Sequence, residues 1–206
     1  MRLILQKARS VKSYFRKIRQ YMKVAKVGEI ARRYFVMNAF DGVLTGLGMI
    51  LGAYVVGLPD PDFIISAGLG VGLALGLSGV WSAYTAEKAE RTRSMKELED
   101  ALFTNLKNSL IDRAAKIATI WVAFVDGISP VAAVITTISP FFMARAGILT
   151  TEMAVYTSIA IAIAILFLLG IFLGRTSKEN ILIHGSKMAM AGAIITIILF
   201  LLRGIS

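Results

Sequence analysis

Residues 35–57 read FVMNAFDGVLTGLGMILGAYVVG. A helix needs about 20 mostly apolar residues to cross the hydrocarbon core of a bilayer, and this run supplies them. Its one charged side chain is Asp41. Four further apolar runs follow, over roughly 63–85, 115–143, 152–174 and 182–203. They lack the alternation of a transmembrane barrel strand, and within lipid only helices and closed barrels satisfy their own backbone. The chain is therefore expected to be an all-α, polytopic membrane protein of five transmembrane helices. Composition agrees: 56% of the 206 residues are hydrophobic, and the mean hydropathy is +0.70, an average that soluble domains rarely reach.

Charge gives the orientation. Eleven of the first 33 residues are Lys or Arg, and the loop after the second run carries Lys88, Arg91, Arg93, Lys96, Lys107, Arg113 and Lys116. The loop Leu58-Pro59-Asp60-Pro61-Asp62 has no basic residue, and Arg145 alone lies between the third and fourth runs. Arg175 and Lys178 fall between the fourth and fifth. Basic residues collect on the cytoplasmic side, so the pattern predicts an inside N-terminus and an outside C-terminus; the membrane is expected to be the plasma membrane. Within 1–33, Val11, Phe15, Ile18, Met22 and Ala25 recur at helical spacing. This segment is expected to be a basic amphipathic helix lying on anionic headgroups. The formal charge of +10 thus reads as topology and lipid contact, with no nucleic-acid partner expected. Residues 34–206 would form one five-helix membrane domain, with 86–114 as a polar, helical cytosolic loop that extends the second span and turns back as a short helix.

The side chains that carry chemistry are few. No cysteine is present and His184 is the only histidine, which removes thiolate sites and multi-histidine metal sites. There is no phosphate-binding glycine loop of the GxxxxGK[ST] type and no nucleophile–base pair, so neither an ATP-driven pump on this chain nor an enzyme is expected. Acids inside a span usually mark function, and two occur, Asp41 and Asp126, each followed by glycine. Both fall in the cytosolic half of spans running in the same direction. Two carboxylates at one depth can bind a cation, share a proton, or do both in turn. Asn38, Asp41, Thr45 and Met49 follow one another at helical spacing, a stripe of amide, carboxylate, hydroxyl and thioether. Oxygen with a soft thioether suits a borderline metal such as Fe²⁺ or Mn²⁺. Pro130 and Pro140 each remove a helix bond in the third span, and Ser129, Thr136 and Thr137 add hydroxyls there. Gly68, Gly72 and Gly76 form one close-packing ridge, and Gly42/Gly46 and Gly48/Gly52 form others. Ser78 and Ser82 continue the second-span ridge to the depth of Asp41.

The run Asn38-Ala-Phe-Asp41-Gly42-Val-Leu-Thr45-Gly46-Leu-Gly48 resembles the first helix of the vacuolar iron transporter family. Five helices, an inside N-terminus, an acidic polar segment after the second helix and a proline-containing third helix are similar too. The resemblance covers the chain from about residue 34 onward. It implies a homodimer that moves Fe²⁺ or Mn²⁺ out of the cytoplasm in exchange for protons, with no permanently bound cofactor. It implies a path between the first two helices of each subunit, with Asp41 as the metal and proton residue. Members of that family often end the second helix in Ser-Met-Gly-Ala-Gly-Glu-Tyr. Here the stretch reads Ser78-Gly79-Val80-Trp81-Ser82-Ala83-Tyr84, so the methionine and glutamate positions are Gly79 and Ala83. The family's cytosolic metal-binding domain is reduced to 86–114, where Glu87 and Glu90 are candidate metal contacts.

On this reading the metal residues are Asp41, Met49 and Asp126, and Asn38, Thr45, Ser78, Ser82, Ser129 and Thr136 line the path. One rival keeps the transporter and changes the cargo to another cation or small solute. A second makes the chain a non-transporting membrane scaffold whose working part is the basic N-terminal helix.

Overall fold

The computed structural model describes residues 27–57 and 59–203. Among them are five α-helices and no strand: α1 (Val27–Val55), α2 (Pro61–Leu102), α3 (Leu110–Arg145), α4 (Thr151–Ser177) and α5 (Ile181–Arg203). Every one is long and apolar enough to cross a membrane. The chain is all-α and compatible with an integral membrane protein. Most of the amphipathic helix expected over 1–33 lies outside the described residues, and 27–33 are the opening turns of α1.

The expected loop 86–114 is helix on both arms. Between Gly79 and Gly127 the sequence has neither glycine nor proline, so nothing breaks α2 before Leu102 and α3 starts at Leu110. No separate short helix intervenes. At 1.5 Å per residue the 42 residues of α2 span about 63 Å, twice the roughly 30 Å of a hydrocarbon core. The reversal between the arms is held by side chains. Glu99 Oε1 accepts the Leu106 N–H at 2.7 Å. Ser109 caps α3 by accepting the Asp112 N–H at 3.2 Å, and Asp112 accepts the Asn108 N–H in return at 2.9 Å. The arrangement differs from a capping box in that the aspartate takes the N–H of the residue before the cap rather than that of Ser109 itself.

Contacts divide the chain into two units, one containing 79–126 with the start of α1 up to Tyr34, the other containing 35–78 and everything from Gly127 on. In the second unit α1, α2, α3 and α4 share an apolar core that includes Ile50, Ile64, Ile138, Phe141 and Val155. A neighbouring cluster joins Val43, Leu47 and Leu51 of α1 to Ala162 and Leu166 of α4, with α5 adding Met188, Ile195 and Leu199. Glycine sets how closely α3 is approached. A Cβ on Gly42 would sit 2.7 Å from the Pro130 carbonyl oxygen, and one on Gly76 would sit 2.5 Å from Val131 Cγ2 and 2.9 Å from the Gly127 carbonyl. Real side chains do not tolerate such distances, so α1 and α2 both lie backbone-close to α3. The Gly42/Gly46 and Gly68/Gly72/Gly76 ridges thus pack within the subunit, whereas Gly52 of the Gly48/Gly52 pair meets nothing within 4 Å. Arg145 in the last turn of α3 pairs with Asp62 in the first turn of α2 at 2.9 Å. The Tyr54 ring meets Tyr156 and Phe200 edge-on in the same unit.

In the other unit Val27 and Ala31 of α1 pack on Ala118 and Val122 of α3. On α2 the buried positions continue from Gly72 and Gly76 through Gly79, Ala83 and Glu87. The apolar stripe therefore ends in a carboxylate.

Candidate functional site

The α1 face that packs inward carries Val36, Ala39, Val43, Leu47 and Ile50. Asp41 and Thr45 point the other way and are exposed. The Thr45 hydroxyl donates to the Asp41 main-chain carbonyl at 2.7 Å. Its proton is thus committed to the backbone, while its lone pairs remain open to a cation or to water. Among the described residues, none forms an ion pair or hydrogen bond with the Asp41 carboxylate. Asn38 and Met49 are half-buried at the flanks of this stripe. Each step of four residues rotates a helix by about 40° beyond a full turn. Met49, eight residues from Asp41, has therefore rolled toward the core, where its Cε lies 3.2 Å from the Cβ position of Gly68. Packing accounts for that thioether.

On α3 the expected lining residues part company. Ser129 is buried, whereas Thr136 is exposed and donates to the Ala132 carbonyl at 2.7 Å. The threonine packed on α1 is Thr137, fully buried with its Cβ and Cγ2 3.5 Å from the Cβ position of Gly46, and its hydroxyl donates to the Ala133 carbonyl at 2.9 Å. The phase set by Pro130, Ala133 and Thr137 against the α1 glycines turns Thr136 outward. Ser78 is exposed on α2.

The other unit gathers a buried polar cluster. Asp126 is 2% exposed and Glu87 8%. The Tyr34 side chain is hydrogen-bonded to Glu87 and feels the charge of Asp126. Arg91 Nε donates to Glu87 Oε2 at 3.1 Å, and Nη2 lies 3.0 Å from the same oxygen. Thr119 is buried in the same unit. Glu90 and Ser82 are exposed, and Ser82 donates to the Gly79 carbonyl at 3.2 Å. Of the two candidate glutamates on α2, only Glu87 belongs to a cluster, because it falls on the stripe of Gly72, Gly76, Gly79 and Ala83. Two members of this cluster carry no site signal in the sequence: Tyr34 lies one residue past the basic segment, and Arg91 is one of many basic residues of 86–114.

This arrangement offers two kinds of acid. Asp41 is an accessible carboxylate on a helix face. Glu87 and Asp126 are buried carboxylates with a tyrosine and a guanidinium close by, a set able to hold or pass a proton. Among the described residues no three His, Asp or Glu side chains converge to hold a metal.

No family model matches the chain. The uncharacterized protein MJ0645 of Methanocaldococcus jannaschii is 39% identical over 179 residues, covering 85% of this chain and 90% of that one.

Proposed function

This chain belongs to one family with the Methanocaldococcus jannaschii protein, and we propose that it is a proton-coupled transporter exporting a divalent metal cation from the cytoplasm. The observation that carries the reading is Asp41: a carboxylate on the exposed face of a membrane-length helix, met by nothing in its own chain among the described residues. Facing hydrocarbon, an acid costs about 2.5–3.5 kcal/mol on insertion scales. A second copy of the chain enclosing a wet seam removes that cost, and the first-helix resemblance supports such a homodimer. Asp41 exchanges Fe²⁺ or Mn²⁺ for protons, with Thr45 contributing an oxygen. Glu87, Asp126 and Tyr34 serve proton transfer on the cytosolic side. The protein lies in the plasma membrane with its N-terminus inside and its C-terminus outside.

One observation favours a different cargo, another cation or a small solute. Gly79 and Ala83 stand on the buried stripe of α2 where the resembling family carries ligands. The test is uptake of Fe²⁺, Mn²⁺, Co²⁺ and Zn²⁺ into proteoliposomes holding a pH-sensitive dye. Proton movement that depends on Fe²⁺ or Mn²⁺ supports metal exchange. Movement driven by none of the four contradicts it. A scaffold role predicts that deleting 1–30 abolishes function while Asp41→Asn does not, and the transport reading predicts that Asp41→Asn abolishes it.

A further inference from the structure

Between the arm of α2 beyond the apolar run and the start of α3 lies a pocket of about 290 Å³. One wall is the α2 face of Lys88, Arg91, Thr92, Lys96 and Glu99, and the other carries Lys107, Asp112, Lys116 and Thr119. Five cations thus face two carboxylates. Both carboxylates are already occupied: Glu99 accepts the Leu106 N–H, and Asp112 accepts the Asn108 N–H and the Lys116 ammonium. The two hydroxyls are occupied as well, Thr92 donating to the Lys88 carbonyl and Thr119 to the Ala115 carbonyl. Lys88, Lys96 and Lys107 have no carboxylate within ion-pair distance among the described residues, although Lys88 leans on the Tyr84 ring. Arg91 Nη2 is buried and ion-paired with Glu87 at 3.0 Å, but it makes no hydrogen bond there, so its N–H groups are left to donate elsewhere. Buried charged donors in folded proteins are ordinarily satisfied.

We propose that this pocket binds a phosphate-bearing anion through Lys88, Arg91, Lys96 and Lys107. The volume sits at the lower edge of the range for small-molecule sites, which suits a phosphate group or a lipid headgroup rather than a nucleotide. Lys88 lies three residues beyond the second apolar run, so the pocket begins where headgroup phosphates of the cytoplasmic leaflet would lie. A soluble phosphate compound has the same chemistry. The inference does not depend on metal transport.

Binding to the full-length protein in neutral detergent is measured by calorimetry with two probes, pyrophosphate and dihexanoyl phosphatidic acid. Dihexanoyl phosphatidylcholine is the zwitterionic control. Saturable binding of either phosphate probe, weakened by salt, is expected. Phosphatidic acid alone assigns the site to lipid, and pyrophosphate binding extends it to soluble phosphates. Lys96→Gln with Lys107→Gln should weaken the bound probe by roughly thirtyfold, since each such charge contributes about fivefold. These side chains hold no partner, so the fold should survive, and the double Lys→Arg variant should bind as wild type. Failure of both probes to bind, or unchanged affinity in the glutamine variant, overturns the proposal.

Discussion

Arg91 and Glu87 are neighbours on one helix, yet the pair differs from an ordinary surface i, i+4 pair because both side chains are largely buried, at 17% and 10% exposure. A surface pair of this kind contributes a few tenths of a kcal/mol. Removing one partner of a buried pair leaves a charge without compensation. Arg91→Ala should therefore lower stability by about 3 kcal/mol, the low end for breaking a buried pair. Glu90→Gln, at an exposed position of the same helix, should stay within about 0.5 kcal/mol. Reversible unfolding in detergent compares them. Equal effects would mean that Glu87 is not held in a closed cluster. At this scale the sequence was partly legible. Asp41 stands out because an acid interrupts an apolar run. Asp126 does too, but its association with Tyr34 depends on a partner that the sequence separates by 92 positions (126 − 34). Thr136 and Thr137 are adjacent in the chain, and only packing against the α1 glycines decides that Thr137 is the buried one.

At the scale of elements, hydropathy alone located all five helices, because length and continuous apolarity leave few alternatives in a bilayer. Helical spacing of apolar residues in 86–114 points to an extension of the second span, and α2 does run on to Leu102. The returning arm is the start of α3 itself rather than a separate short helix, because no glycine or proline interrupts it. Glycine ridges were legible as contacts but not as to partner. Gly42 lies against the Pro130 backbone, and Gly52, on the same helix, has nothing within 4 Å of its Cβ position. Gly42→Ala should destabilise by about 1–3 kcal/mol through overpacking against main chain that cannot give way. Gly52→Ala should leave stability unchanged or raise it, since alanine is the better helix former. Thermal unfolding of the two purified variants checks this, and equal losses would contradict the close approach of α1 to α3.

For the whole molecule, two consequences follow from placing Asp41 on a seam between copies with the C-terminus outside. The chain has no cysteine, so Thr45→Cys introduces the only thiol, on the exposed face one turn from Asp41. Mild oxidation in membranes should yield a disulfide-linked dimer, and a cysteine at Leu201, exposed on α5, should not. Dimers from the α5 position alone would move the seam elsewhere. A periplasm-active reporter enzyme fused after Ser206 should be active, and a fluorescent protein there should stay dark. The opposite pattern would invert the topology.

Metal-driven proton movement in proteoliposomes, compared between the wild-type chain and Asp41→Asn, is the decisive measurement of whether Asp41 carries metal–proton exchange. The substitution keeps the size of the side chain and removes its charge and its proton, and the exposed site lets the fold persist. If Asp41 exchanges metal for protons, Fe²⁺ or Mn²⁺ drives a pH change in wild-type vesicles and the variant behaves like protein-free vesicles. Wild-type rates in the variant, or no metal-dependent pH change in either, would contradict it.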